Sequence, residues 1–109
     1  MSGNEILNKK VYSLIGLCKK AGAVASGEFM TEKSIKGGKS FLVIVAADAS
    51  DNTKKNFRDM TTYYKVPYME FGDKDNLGYA IGCEFRASLS INNEGLANQI
   101  LAKFQTNDI

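Results

Sequence analysis

The chain has 109 residues, of which 44% are hydrophobic and 24% charged, values that suit one folded domain and exclude a disordered or fibrous chain. A formal net charge of +2 neither demands nor excludes a nucleic-acid partner, so the placement of the charges has to decide. With no histidine, imidazole metal ligands and histidine acid–base catalysis are excluded, and two cysteines, Cys18 and Cys83, are too few for a disulfide framework or a zinc cluster.

Asn4 is an N-cap residue type, and Glu5 then suits the first turn of a helix. Leu7, Val11, Leu14 and Cys18 recur at helical spacing and predict one buried stripe, with Cys18 in the core. Lys19 and Lys20 suit the negative end of that helix, and Gly22 stops it. A short strand over 23–26 follows, and Gly27 opens a second helix that runs to about Lys36. Residues 41–47 form a near-continuous apolar run rich in β-branched types, the pattern of a central strand buried on both faces.

Asp48 or Ser50 caps a third helix, with Phe57, Met60 and Tyr64 inward, Lys54, Lys55 and Arg58 outward, and Asp51 paired to Lys55 four residues on. Residues 67–71 begin with proline and read as a strand at or near a sheet edge. Asp73 caps a brief helix ending at Gly82, residues 86–91 alternate as a fourth strand, and Asn92 or Asn93 starts a last helix with Leu96, Ile100 and Phe104 inward. Helices alternating with strands predict a single α/β domain over 1–109, with about five helices on both faces of a four-stranded mixed sheet. Such sheets bind ligands beyond the carboxyl ends of their strands, here at the loops around Gly27, Asp48 and residues 82–86.

The motif GGKS at residues 37–40 looks like the end of a phosphate-binding loop, but Lys33 occupies the position of the first glycine and the strand comes after the motif instead of before it. Gly37 and Gly38 are instead expected to end the second helix in a left-handed cap. Asp48, Asp51 and Asp59 read as cap and solvated partners, and no serine or cysteine has a histidine base, so no catalytic residue, metal, cofactor or small-molecule substrate is expected. The opening MSGNEILNKK has no apolar signal core, and no run approaches the roughly 18 apolar residues of a membrane helix, so a soluble, cytoplasmic chain without a membrane partner is expected.

A binding surface is better supported. Gly27 at a strand-to-helix turn leaves amide donors free at a helix start, an anion-binding geometry. Lys33 and Lys36 are helical i,i+3 neighbours expected on one face. Phe29 and Met30 are apolar where the chain nears solvent, serving either local packing or binding. Phe85 beside Arg86 pairs an aromatic ring with a guanidinium, which suits unstacked bases and phosphates unless Phe85 belongs to the core.

These residues, taken in order, resemble a known family. GEFMTEKSIKGG, then FLVIVAADAS, then VPYMEFGDKDNLGYAIG are similar to the ribosomal-protein superfamily that binds kink-turn RNA, and LIGLCKKAGAVASGE with GCEFRASLSINNEGLANQIL resembles its bacterial YlxQ-type branch. The resemblance covers nearly the whole chain. It implies a three-layer α/β/α sandwich and a non-catalytic role in binding structured RNA, associated with the ribosome or translation. The family's motif is roughly G-x-N-E-x-x-K, in which the asparagine and glutamate read tandem sheared G·A pairs. Gly27 and Lys33 match it, but Phe29 and Met30 stand at the two polar positions and cannot read base edges. Each such contact discriminates by about 1–3 kcal/mol, so stacking and phosphate contacts would have to carry more of the affinity. The RNA-binding set implied is Gly27, Glu28, Phe29, Met30, Lys33, Lys36, Phe85 and Arg86. The alternative is a protein-interaction module that kept the fold, with Phe29, Met30 and Phe85 as an apolar docking patch. Basic residues clustered around the Gly27 turn favour RNA, and dominance of Glu28, Glu32 and Glu84 favours protein docking.

Overall fold

A computed structural model describes the backbone of residues 3–105 and the side chains of residues 5–104. Five helices and four strands alternate in the order α1 (Gly3–Lys20), β1 (Val24–Ser26), α2 (Glu28–Lys36), β2 (Leu42–Val45), α3 (Asp51–Tyr64), β3 (Tyr68–Glu70), α4 (Lys74–Ala80), β4 (Ser88–Ile91) and α5 (Glu94–Gln105). The strands form one mixed sheet in the order β1-β4-β2-β3, with β4 antiparallel to both neighbours and β2 parallel to β3. Helices α1, α4 and α5 pack together on one face and α2 with α3 on the other, giving the expected three-layer sandwich.

Burial explains the sheet order. All four residues of β2, Leu42 to Val45, are buried because both faces are covered. On β4 the faces differ. Leu89 and Ile91 join the apolar core, whereas Ser90 turns toward a polar set in which its hydroxyl bonds Ser40 at 2.7 Å and Asn92 at 2.6 Å, and Asn92 donates to Ser34 of α2 at 3.1 Å. The Asn92 carbonyl oxygen only accepts, so Ser90 donates to it and receives its other bond from Ser40. Small serines on that face give α2 little side-chain bulk to clear against the sheet.

Several local expectations shift by a residue or a partner. α1 already includes Gly3, so Asn4 lies within the helix instead of capping it, and its side chain falls outside the described residues. Val11 and Cys18 are fully buried as expected, and Ile15, one helical step from both, joins them while Leu7 and Leu14 are partly buried. Ser50, not Asp48, caps α3, accepting from the Thr53 amide at 3.1 Å. Thr61 is the second buried position of α3. Its hydroxyl donates to the Phe57 carbonyl at 2.7 Å, which lets it be buried without solvent, whereas Tyr64 is exposed. Lys55 pairs forward with Asp59 at 2.8 Å, not back with Asp51. β4 begins at Ser88 instead of Arg86, because the Arg86 amide is committed to the Lys74 carbonyl at 2.9 Å. At the end of α2 the left-handed residue is Gly38 (φ 73°), while Gly37 keeps an ordinary φ of −83°. No described helix is long and apolar enough to cross a membrane.

Candidate nucleic-acid interface

The topology brings the loops around Gly27, Asp48 and residues 82–86 to one end of the molecule. β1, β2 and β3 run the same way and β4 runs against them, so the ends of the first three strands and the start of the fourth converge. The Gly27 amide donates to the Ser88 carbonyl at 3.0 Å, the Ala46 amide to the Ala87 carbonyl at 2.9 Å and the Ala47 amide to the Gly72 carbonyl at 2.8 Å, lacing the loops together.

At the β1–α2 turn, Gly27 sits at φ 88° and ψ 163°, a conformation open to glycine and strained for any L side chain. It is the N-cap of α2 yet supplies no side-chain acceptor, so the first amides of the helix are left to a ligand or to water. The next three residues are exposed, and two of them are apolar: Phe29 is 73% exposed and Met30 45% exposed. Neither is a staple against the sheet. The inward residues of this helix are Thr31, Ser34 and Ile35, and the buried Thr31 hydroxyl has no protein partner beneath the turn.

The second part of the site is the loop from Gly82 to Arg86. It folds back on α4 with the Cys83 amide bonded to the Gly78 carbonyl at 2.9 Å. Gly78 permits this, since a Cβ there would overlap the carbonyl of Glu84. The loop presents Phe85 61% exposed, so Phe85 does not belong to the core. Arg86 is half-buried and acts as a clasp. Its Nε–H donates to Ser26 Oγ at 3.2 Å, reaching the residue before Gly27, and its Nη1 donates to the Phe85 carbonyl at 2.9 Å.

Sequence reasoning missed the third contributor, Lys74. Its ammonium lies over the Phe85 ring, 6.0 Å from the centroid, and its amide donates to Asp48 Oδ1 at 3.0 Å, which is the role Asp48 has instead of capping α3. The neighbouring Asp73 caps α4 as expected. The Asn76 backbone N–H that it accepts, with the Asn76 side chain, holds its carboxyl below the ordinary value. Only adjacency to a cap marked Lys74 in the sequence, a signal too weak to single it out.

Lys33 and Lys36 do not share a surface. Lys36 is drawn to Glu32 at 2.8 Å and borders a hollow formed with Tyr64 and Lys65, beyond the far end of α2. Lys33 instead lines a hollow of about 430 Å³ beside β1, with Met30, Ser34, Lys39 and Asn92. That hollow follows the free edge of β1 away from the Gly27 turn, and Lys39 in it is a second cation that the sequence did not single out. Lys19 and Lys20 end α1 on the opposite side of the sheet's length, since β1 separates them from Gly27. Lys54 and Arg58 each lie 3.6 Å from Glu70, and Lys55 is paired within its own helix. The cations at the converging loops are therefore Arg86 and Lys74, with Lys33 alongside and exposed Glu28 and Glu84 between them.

The chain is similar to known proteins over most of its length. The family model described as Ribosomal protein L7Ae/L30e/S12e/Gadd45 family matches residues 9–101. A protein of Bacillus subtilis (strain 168) named RNA-binding protein YlxQ is 37% identical over 91 residues, covering 84% of this chain and 91% of the relative. Among solved structures, a Bacillus halodurans protein described as of unknown function superposes with a TM-score of 0.85 at 31% identity, covering 88% of this chain and 97% of its own. A Giardia lamblia protein described as a 15.5kD RNA binding protein gives 0.78 at 26% identity, covering 92% of this chain and 88% of its own. With the model match spanning most of the chain, from the middle of α1 into α5, this protein belongs to the Ribosomal protein L7Ae/L30e/S12e/Gadd45 family.

Proposed function

We propose that this chain is a non-catalytic RNA-binding protein of the cytoplasm. It would grip structured RNA at the converging loops in a ribosome- or translation-associated role. The observation that carries the reading is the open start of α2 at Gly27, flanked by two exposed rings, Phe29 and Phe85, on loops that Arg86 clasps together. Uncapped amides and the helix dipole attract a phosphate, the rings offer platforms for unstacked bases, and Lys33 and Lys74 add positive charge at the margins. The names of the Bacillus subtilis and Giardia lamblia relatives support RNA as the partner.

Of the set Gly27, Glu28, Phe29, Met30, Lys33, Lys36, Phe85 and Arg86, each has a different task in this reading. Gly27 exposes the amides and Phe29 and Phe85 stack. Met30 and Lys33 continue the contact along β1, and Arg86 fixes the two loops relative to each other. Glu28 is acidic at the rim and sets a limit on non-specific phosphate attraction. Lys36, already neutralised by Glu32, contributes least. With Phe29 and Met30 at the two polar positions, recognition rests on stacking and backbone contacts instead of G·A base edges.

Titration against a kink-turn RNA, and against the same RNA with its G·A pairs replaced, at several salt concentrations, tests this. Near-equal affinities with a steep salt dependence are expected. A preference of about a hundredfold for the intact motif would show that base edges are read after all. Failure to bind either RNA would favour the second reading, a protein-docking patch. The exposure of Phe29, Met30 and Phe85 beside Glu28 and Glu84 is what favours that alternative.

A further inference from the structure

We infer that the outer face of α1 is a second docking surface, shaped for an acidic amphipathic helix of a protein partner. It shares no lining residue with the converging loops, so it can be occupied while they hold RNA.

Two hollows of about 460 and 520 Å³ flank α1 and meet at Lys9 and Ser13, which line both. The one toward α5 has Leu14 and Leu17 as its floor and Lys10 and Lys103 at its edge. The one toward α4 has Gly16 and Ala80 as its floor and Tyr79 as its wall. Gly16 keeps this second hollow open. The Ala80 carbonyl stands 3.4 Å from where a Cβ would be, so any larger side chain would fill the space between α1 and α4.

Leu17 is 52% exposed and Tyr79 83% exposed, large apolar groups held in water on a face with no described element covering it. Charge selects the occupant. Every charged residue lining the two hollows is a lysine, and Lys9 and Lys10 enter no ion pair among the described residues. The cations of α3 behave differently, since Lys54, Lys55 and Arg58 each face a carboxylate of this chain. Lysine stems extend the apolar floor while their heads form a positive rim, which complements glutamates and aspartates flanking an apolar stripe.

The aliphatic floor favours protein over RNA, since a phosphate backbone offers nothing to Leu14 or Leu17. The start of α4 offers no uncapped helix end here either, because Asp73 caps it. From Lys9 to Leu17 the face runs about 12 Å, two turns of helix, which matches partner anchors at i, i+3 or i+4, and i+7.

The test pans a displayed library of sixteen-residue peptides against the full chain, counter-selected with Leu17→Glu. Enriched peptides are then measured on wild type, Leu17→Glu and the Lys9→Glu/Lys10→Glu double variant, each checked for an unchanged circular-dichroism melt. Net-negative peptides with a helical apolar stripe, bound about tenfold more weakly by both variants, are expected. No enrichment, enrichment without acidic bias, or equal binding to the variants overturns the proposal. Two further results also overturn it. One is a tenfold loss of kink-turn RNA affinity in Lys9→Glu/Lys10→Glu, which would give this face to RNA. The other is a wild-type dimer that these substitutions dissociate, which would give it to a second copy.

Discussion

Two strand-to-helix turns stand at the same end of the sheet, with the start of β4 between them, and begin their helices in opposite ways. After β2 the chain enters α3 through Ser50, whose oxygen accepts the Thr53 amide at 3.1 Å, and the outer cations of that helix are matched by Glu70 and Asp59. After β1 it enters α2 through Gly27, which caps nothing, and the next residues push Phe29 and Met30 into solvent. The first turn satisfies its own donors and charges, whereas the second leaves donors and apolar surface unspent. A helix start with an amide already taken by its own side chain has less to give an anion, so of these two turns the β1–α2 turn is the better equipped to bind one.

The contrast breaks most severely at Gly78, which seats the Phe85 loop beside the open turn. Gly78→Ala drives a Cβ into the Glu84 carbonyl and is expected to cost about 3 kcal/mol in a denaturant titration; an unshifted midpoint would mean the loop is not packed on α4. Next is Phe85→Ala, which should weaken RNA binding by about 1–3 kcal/mol with little change in melting, because the ring is mostly in solvent. Equal losses of affinity and stability would return Phe85 to a structural role.

On the closed side, Ser50→Ala should lower stability by about 1 kcal/mol while RNA affinity stays as it was. A drop in affinity there would extend the interface across both turns. The smallest effect separates two lysines of one helix. Lys33→Ala should reduce the salt slope of RNA binding by about 1, and Lys36→Ala should reduce it less because Glu32 already holds that charge at 2.8 Å. Identical slopes would place both in the same contact.

Much of the architecture was legible because it rests on short-range patterns. The apolar run around β2, the proline before β3 and the glycine turn at Gly27 each predict their element from neighbours in the chain, and Asp73 caps α4 where it was expected. The candidate site was half legible. Gly27 and the aromatic pair stood out as candidates from turn chemistry and residue type, with Phe85 left open between core and surface. Lys74 was not, because its position over Phe85 depends on a loop that returns eleven residues later. The pairing of Lys33 with Lys36 failed for a similar reason. Helical spacing makes two residues neighbours, but a competing carboxylate one turn away at Glu32 decides where the Lys36 side chain goes.

The sequence by itself determined the order of helices and strands and the positions of turns and caps, since periodicity, glycine conformation and capping chemistry act over a few residues. Only the tertiary structure decided which side chains stay in water and which charges cancel. Phe85 is exposed because Gly78 lets its loop lie flat on α4, Arg86 is spent joining two loops sixty positions apart, and Asp48 serves an amide of α4 instead of its own helix. Exposure and pairing are set by distances through space, and no local pattern in a single chain encodes them.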